Sequence, residues 1–171
     1  LFEDTLRAMA QRSKETGVNL LSKAATYFIF FDEYDLNGLE DTANYNLTKA
    51  YELNKTLSEK LAEEGYSSDI CDAVANLKHK CVGSLSDKIT ADKAQFVPKI
   101  NEYNSEKDRE RYYDFDSSAF GENGELWWYT CETPRNPSPT YHIEDELISS
   151  RLLSWMMYDY GVTGNLYWNA A

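Results

Sequence analysis

Asp32 and Glu33 stand directly behind an apolar run, Ala25–Phe31. Two adjacent carboxyl groups in such a place are costly unless they are solvated, hydrogen-bonded or used. A Glu set against aromatic walls has its neutral form favoured and suits a general acid near neutral pH. An ionised neighbour can orient a substrate group or stabilise positive charge. The same dipeptide also serves as a helix cap or a solvated turn, and both readings stay open on these two residues alone. Trp127, Trp128, Tyr129, Tyr167 and Trp168 form a second group. Aromatic faces fill cores and also stack on sugar rings. Side chains alternate along a strand, so Trp127 and Tyr129 share one face and Trp128 takes the other. Tyr129 and Trp168, nearest the strand ends, are the better candidates for a sugar-stacking wall. His142, beside Tyr141 and ahead of Glu144-Asp145, either binds a substrate hydroxyl or caps the next helix. His79, in a Lys-rich segment, reads as solvated, and Arg151 reads as one half of a buried ion pair.

Other chemistries lack their residues. No HExxH, glycine-rich phosphate loop or dinucleotide fingerprint occurs, so neither a metal nor a cofactor is expected. Cys71, Cys81 and Cys131 are an odd number with no CxxC, which fits buried or idle thiols better than a disulfide framework or zinc site. A formal charge of −12 on 171 residues excludes a protein held to nucleic acid by its net field and argues against an anionic membrane. The longest apolar stretches are too short to span a bilayer.

The elements that must position these residues follow from periodicity. Residues 2–16 and about 42–64 read as helices, closed by Gly17 and Gly65. Ala25–Phe31 reads as a strand covered on both faces, the habit of parallel sheets. Ile70, Val74 and Leu77 indicate a further helix, Val82–Ile89 a weak strand, and Phe96–Ile100 a strand that Pro98 confines to an edge or cuts short. Ser105–Tyr113 is a charged outer helix and Glu125–Cys131 a strong strand. The proline-rich segment 133–140 is a stiff loop. A helix from Asp145 to about Tyr160 turns Ile148, Leu152, Trp155 and Met156 inward, Gly161 and Gly164 end it, and 165–168 is a last strand. Alternating strands and helices give an α/β protein with a parallel sheet. Active regions of such sheets lie at the carboxyl ends of the strands, which gathers Asp32-Glu33, the 131–141 loop and the Trp168 end on one rim.

These blocks resemble a known family. The strand ending Phe30-Phe31-Asp32-Glu33 is similar to the catalytic strand of glycoside hydrolase family 123, and the likeness continues through 126–131, 137–143, 151–156 and 164–168. The last three blocks, in this order and spacing, are the specific ones. The resemblance implies a (β/α)8 TIM barrel that releases β-linked N-acetylgalactosamine from glycans with retention, without an enzyme nucleophile, since the sugar's own 2-acetamido oxygen attacks the anomeric carbon. By that likeness Glu33 is the general acid/base and Asp32 orients the acetamide N–H; the candidates for binding the substrate, taken from the residues themselves, are Tyr129, Trp168, Tyr141, His142 and Trp127. A whole barrel runs to about 250 residues. Residues 1–171 are therefore expected to be one partial catalytic domain, the C-terminal part of the barrel, needing the missing half, a second copy or another chain for activity. The alternatives are a non-catalytic carbohydrate-binding module and a purely structural α/β domain.

Overall fold

The computed structural model describes residues 1–121 and 124–167, and of 28–31 the backbone alone. It is a mixed α/β structure in which parallel strands alternate with helices. Helix α1 (Phe2–Thr16) ends at Gly17 and is followed by strand β1 (Ala25–Asp32). Helices α2 (Glu40–Glu63) and α3 (Ser68–Ala75) lead to β2 (Lys78–Val82) and β3 (Ala94–Val97). Helix α4 (Glu106–Phe120) is capped by the Ser105 hydroxyl, which accepts from the Asp108 amide at 3.2 Å. Strand β4 (Leu126–Thr130), helix α5 (Ser149–Tyr160) and strand β5 (Val162–Tyr167) complete the chain.

Strands β1, β2 and β3 pair in parallel in that order, and β4 pairs in parallel with β5. A bridge between Lys99 and Tyr129 joins the two sheets, with the Tyr129 amide donating to the Pro98 carbonyl at 2.7 Å. Strand order thus follows chain order, and the carboxyl ends of β1, β3 and β4 meet along one rim. These described strands number five in two small sheets.

Alternation along each strand divides the apolar side chains between two faces. Cys81, Phe96 and Trp128 face the helices and join Tyr34, Leu47, Tyr103 and Leu153 in the largest core cluster. Val82, Val97, Tyr129 and Cys131 form a smaller cluster on the opposite, concave face, with Trp127 and Leu166 against it. A third cluster, built on Leu6, Leu57, Leu61 and Val74, holds α1, α2 and α3 together. All three cysteines are buried and free.

Several expectations are corrected here. The strand expected at Val82–Ile89 lies earlier, at Lys78–Val82, because charged Lys78 and Lys80 occupy the concave face and hide its pattern. The strand expected at Phe96–Ile100 lies at Ala94–Val97; Pro98 ends it as expected, and β3 is the outer strand of the three-stranded sheet, joined to β4 through the Lys99–Tyr129 bridge. The outer helix at Ser105–Tyr113 extends to Phe120 and buries Tyr112 and Asp116. On α5 Leu153 is buried and Met156 packs against the core as expected, with Met157 and Tyr160, while Trp155 is 62% exposed and Arg151 is exposed rather than buried in an ion pair. Gly164 does not end a helix but lies inside β5 opposite Trp127. A Cβ there would come within 2.1 Å of the indole ring, so only glycine fits.

His79 is not solvated but fully buried. It points to the helix side of β2, with Nδ1 2.6 Å from Thr26 Oγ1 and Nε2 3.0 Å from Asn54 Nδ2. Burial lowers its pKa to about 4, so the folded state holds a neutral imidazole while the unfolded chain takes up a proton below about 6.5. Stability is therefore whole above that pH and is lost as pH falls toward about 4. Urea unfolding at pH 7 and pH 4.5 should show a loss on the order of 2–3 kcal/mol that His79→Gln lacks.

Candidate active site

The turn after β1 is fixed from several sides. The Glu33 amide donates to the Val82 carbonyl at 2.7 Å, and the Glu33 carbonyl accepts from Asn37 Nδ2 at 2.9 Å. Tyr34 is fully buried and its hydroxyl donates to the Ser84 carbonyl, while Asp35 accepts from the Ser84 amide at 3.0 Å. Tyr34 needs Gly83 beside it, since a Cβ at that position would approach the tyrosine ring to 2.7 Å. Held this way, Glu33 adopts a left-handed backbone with φ 44°. Such a conformation costs a non-glycine residue about 1–3 kcal/mol and recurs where side-chain placement matters for function.

Asp32 and Glu33 occupy different environments. Burial pushes the Asp32 carboxyl up, a Tyr27 hydrogen bond draws it down, the charge on Glu33 raises it and Lys99 lowers it. One of its oxygens, Oδ1, is buried with no hydrogen-bond partner among the described residues. Tyr27 in turn is pushed up to about 12, first by burial and then by Asp32. Glu33 instead faces a cation. Its Oε1 lies 3.2 Å from Lys99 Nζ, and both side chains are partly open to solvent. Lys99 also donates to Thr133 Oγ1 at 3.3 Å. One ammonium at the carboxyl end of β3 thus serves both acids and reaches the loop after β4.

The aromatic candidates divide by depth. Tyr129 lies in the concave cluster at the carboxylates' end of the sheet, 5% exposed, and its hydroxyl is pushed far up by burial first, then by Cys131 and the charges of Glu33 and Asp32. It supplies a floor more than an exposed wall. Trp127 shares that face but sits at the start of β4, against Lys80, away from the two acids. Tyr141, 41% exposed, meets Tyr167 edge to face at 5.2 Å and accepts from Asn165 Nδ2 at 3.4 Å. His142 donates its backbone N–H to Thr140 Oγ1 at 3.1 Å, and its Nδ1 is buried without a partner among the described residues. The carbonyl of His142 accepts from the Asp145 amide at 3.2 Å. Trp168 lies outside the described residues.

Lys99, Thr133 and Tyr27 were missed by the sequence reading. The rule that singled out Asp32 at a strand's carboxyl end also applies to Lys99, two residues behind Val97. Among the described residues no group of His, Cys, Asp and Glu could hold a metal ion, and no helix is long and apolar enough to cross a membrane. What the arrangement can do is acid–base chemistry: a half-buried carboxyl beside a second one that a cation keeps oriented. No protein-family model matches the chain, and neither a curated protein nor a solved structure does.

Proposed function

We propose that the chain is the C-terminal part of a (β/α)8-barrel glycoside hydrolase, similar to family 123, that releases β-linked N-acetylgalactosamine with retention. The observation that carries this reading is the Asp32-Glu33 pair at the carboxyl end of a parallel strand, with Glu33 in a strained backbone and Lys99 bridging to the next loop. All-parallel strands in chain order support the barrel part.

In this reading the substrate's acetamido oxygen attacks the anomeric carbon. Glu33 protonates the departing glycosidic oxygen, then removes a proton from the water that opens the oxazolinium intermediate. Asp32, ionised, accepts the acetamide N–H and aims the attacking oxygen. Lys99 occupies Glu33 Oε1, so the glycosidic oxygen must take its place there, and Thr133, already a second partner of Lys99, is the group that can retain the ammonium. Tyr27 holds Asp32 in place.

The Glu33–Lys99 pair also supports a second reading, a carbohydrate-binding module, because a carboxylate and an ammonium held together at the rim can accept from and donate to sugar hydroxyls without turnover. The two separate on 4-nitrophenyl β-N-acetylgalactosaminide with the full-length chain that carries these residues. The hydrolase releases nitrophenol, forms the β-sugar first, and is inhibited by a thiazoline mimic of the intermediate. Indole emission that shifts with the sugar while no nitrophenol appears would establish the binding module instead. Neither release nor a shift would end both.

A further inference from the structure

A second group of titratable side chains lies on the concave face, at the amino-terminal end of the sheet. Lys80, in the middle of β2, lines a cavity of about 970 Å³. It is 5% exposed, and its Nζ stands 3.4 Å from the centre of the Trp127 ring and donates to Gln95 Oε1. Glu125, at the start of β4, faces it at 3.9 Å, and the same carboxylate takes Lys78 at 3.3 Å and the Trp127 indole N–H at 3.2 Å. Tyr27 lies beside Lys80 across the sheet. From α4, Asp116 accepts from the Glu125 amide and keeps its other oxygen buried without a partner among the described residues. Lys23, Lys93 and Asp69 complete the charged lining.

This is an amine desolvated beside an aromatic ring and a second ammonium, opening on a space large enough for a small molecule. Those two features are what turn a lysine into a nucleophile. Burial, aided by Lys78 and opposed by Glu125 and Asp116, brings the ammonium down to about 7. We propose that Lys80 is a carbonyl-reactive amine and that its cavity takes a small anionic aldehyde or ketone. Lys78 and Lys93 favour the anion. The neutral amine attacks the carbonyl carbon, and the C–N bond forms as the C=O electron pair moves to oxygen, which takes the proton that the nitrogen releases. The carbinolamine hydroxyl then takes one further proton from solvent and leaves as water, giving a protonated imine whose positive charge Glu125 faces. No oxidant or reductant is consumed. The inference is independent of the glycosidase reading, because Lys80, Lys78, Lys93 and Glu125 take no part in it, and Tyr27, which that reading sets beside Asp32, is not used in the amine's chemistry.

The test is reductive labelling of the intact chain with pyridoxal 5′-phosphate and borohydride, followed by peptide mass spectrometry. Lys80 should be labelled roughly tenfold faster at pH 7.5 than exposed Lys55 or Lys107, which lie outside the cavity, with a rate that rises through about pH 7. Lys80→Arg keeps a cation over Trp127 and should remove this label, and Lys78→Met should slow it. Labelling of Lys80 no faster than the exposed lysines overturns the proposal, and that comparison needs only the unaltered protein.

Discussion

Replacing Glu33 by glutamine should lower hydrolysis of a β-N-acetylgalactosaminide with an alkyl aglycone, followed as released sugar, by about 10²–10⁴-fold, the usual loss when a general acid is removed. The amide keeps the size of the carboxyl but carries no transferable proton, and the aglycone must then leave as an unprotonated anion. Asp32→Asn should cost a similar factor, through loss of the group that aims the acetamide. Rates within about twofold of the unaltered enzyme for both variants would remove the assigned roles. The pH profile carries a second check. Asp32 must be ionised to act, and burial raises its carboxyl, so activity should fall on the acid side at a pH above that of an ordinary aspartate. Lys99 draws that carboxyl down. Lys99→Met should therefore move the acid limb to still higher pH, an effect that simple loss of packing would not produce.

The largest stability effect should come from Trp128→Ala. The indole is fully buried, 6.4 Å from the Tyr103 ring and 6.5 Å from Tyr160, which it meets edge to face. Truncating an aromatic at such a site leaves a void that the helices cannot close, and costs about 3–5 kcal/mol. Trp155→Ala, by contrast, removes a ring that is 62% exposed and should stay within about 0.5 kcal/mol. Urea midpoints of the two variants distinguish a core built on β4 from one that also uses the outer stripe of α5.

That contrast marks where the fold could be read from the sequence. Period-two alternation over Leu126–Thr130 separates Trp128 from Trp127 and Tyr129, and the structure keeps that division. Helix α5 defeats the same approach, because Leu152, Leu153, Trp155, Met156 and Met157 place apolar residues around the whole helix and leave no single stripe. Strand β2 was illegible for a different reason. Lys78 and Lys80 look solvated, and partners distant in sequence, among them the shared Glu125, Gln95 and the Trp127 and Phe120 rings, make their burial tolerable. The acid pair announced itself by standing behind an apolar strand. Its partner Lys99 did not, since the contact depends on how the ends of β1, β3 and β4 converge.

The bare position beneath Trp127 has a mechanical consequence. Were β5 to slide one residue along β4, Thr163 or Asn165 would come under the indole, where even a methyl group has no room. Those neighbours are also tethered, Thr163 to the Leu126 carbonyl and Asn165 to the Thr130 hydroxyl. A missing side chain thus acts as the pin that stops one strand from creeping past the other, and it holds Tyr167 level with Thr130 at the mouth of the sheet.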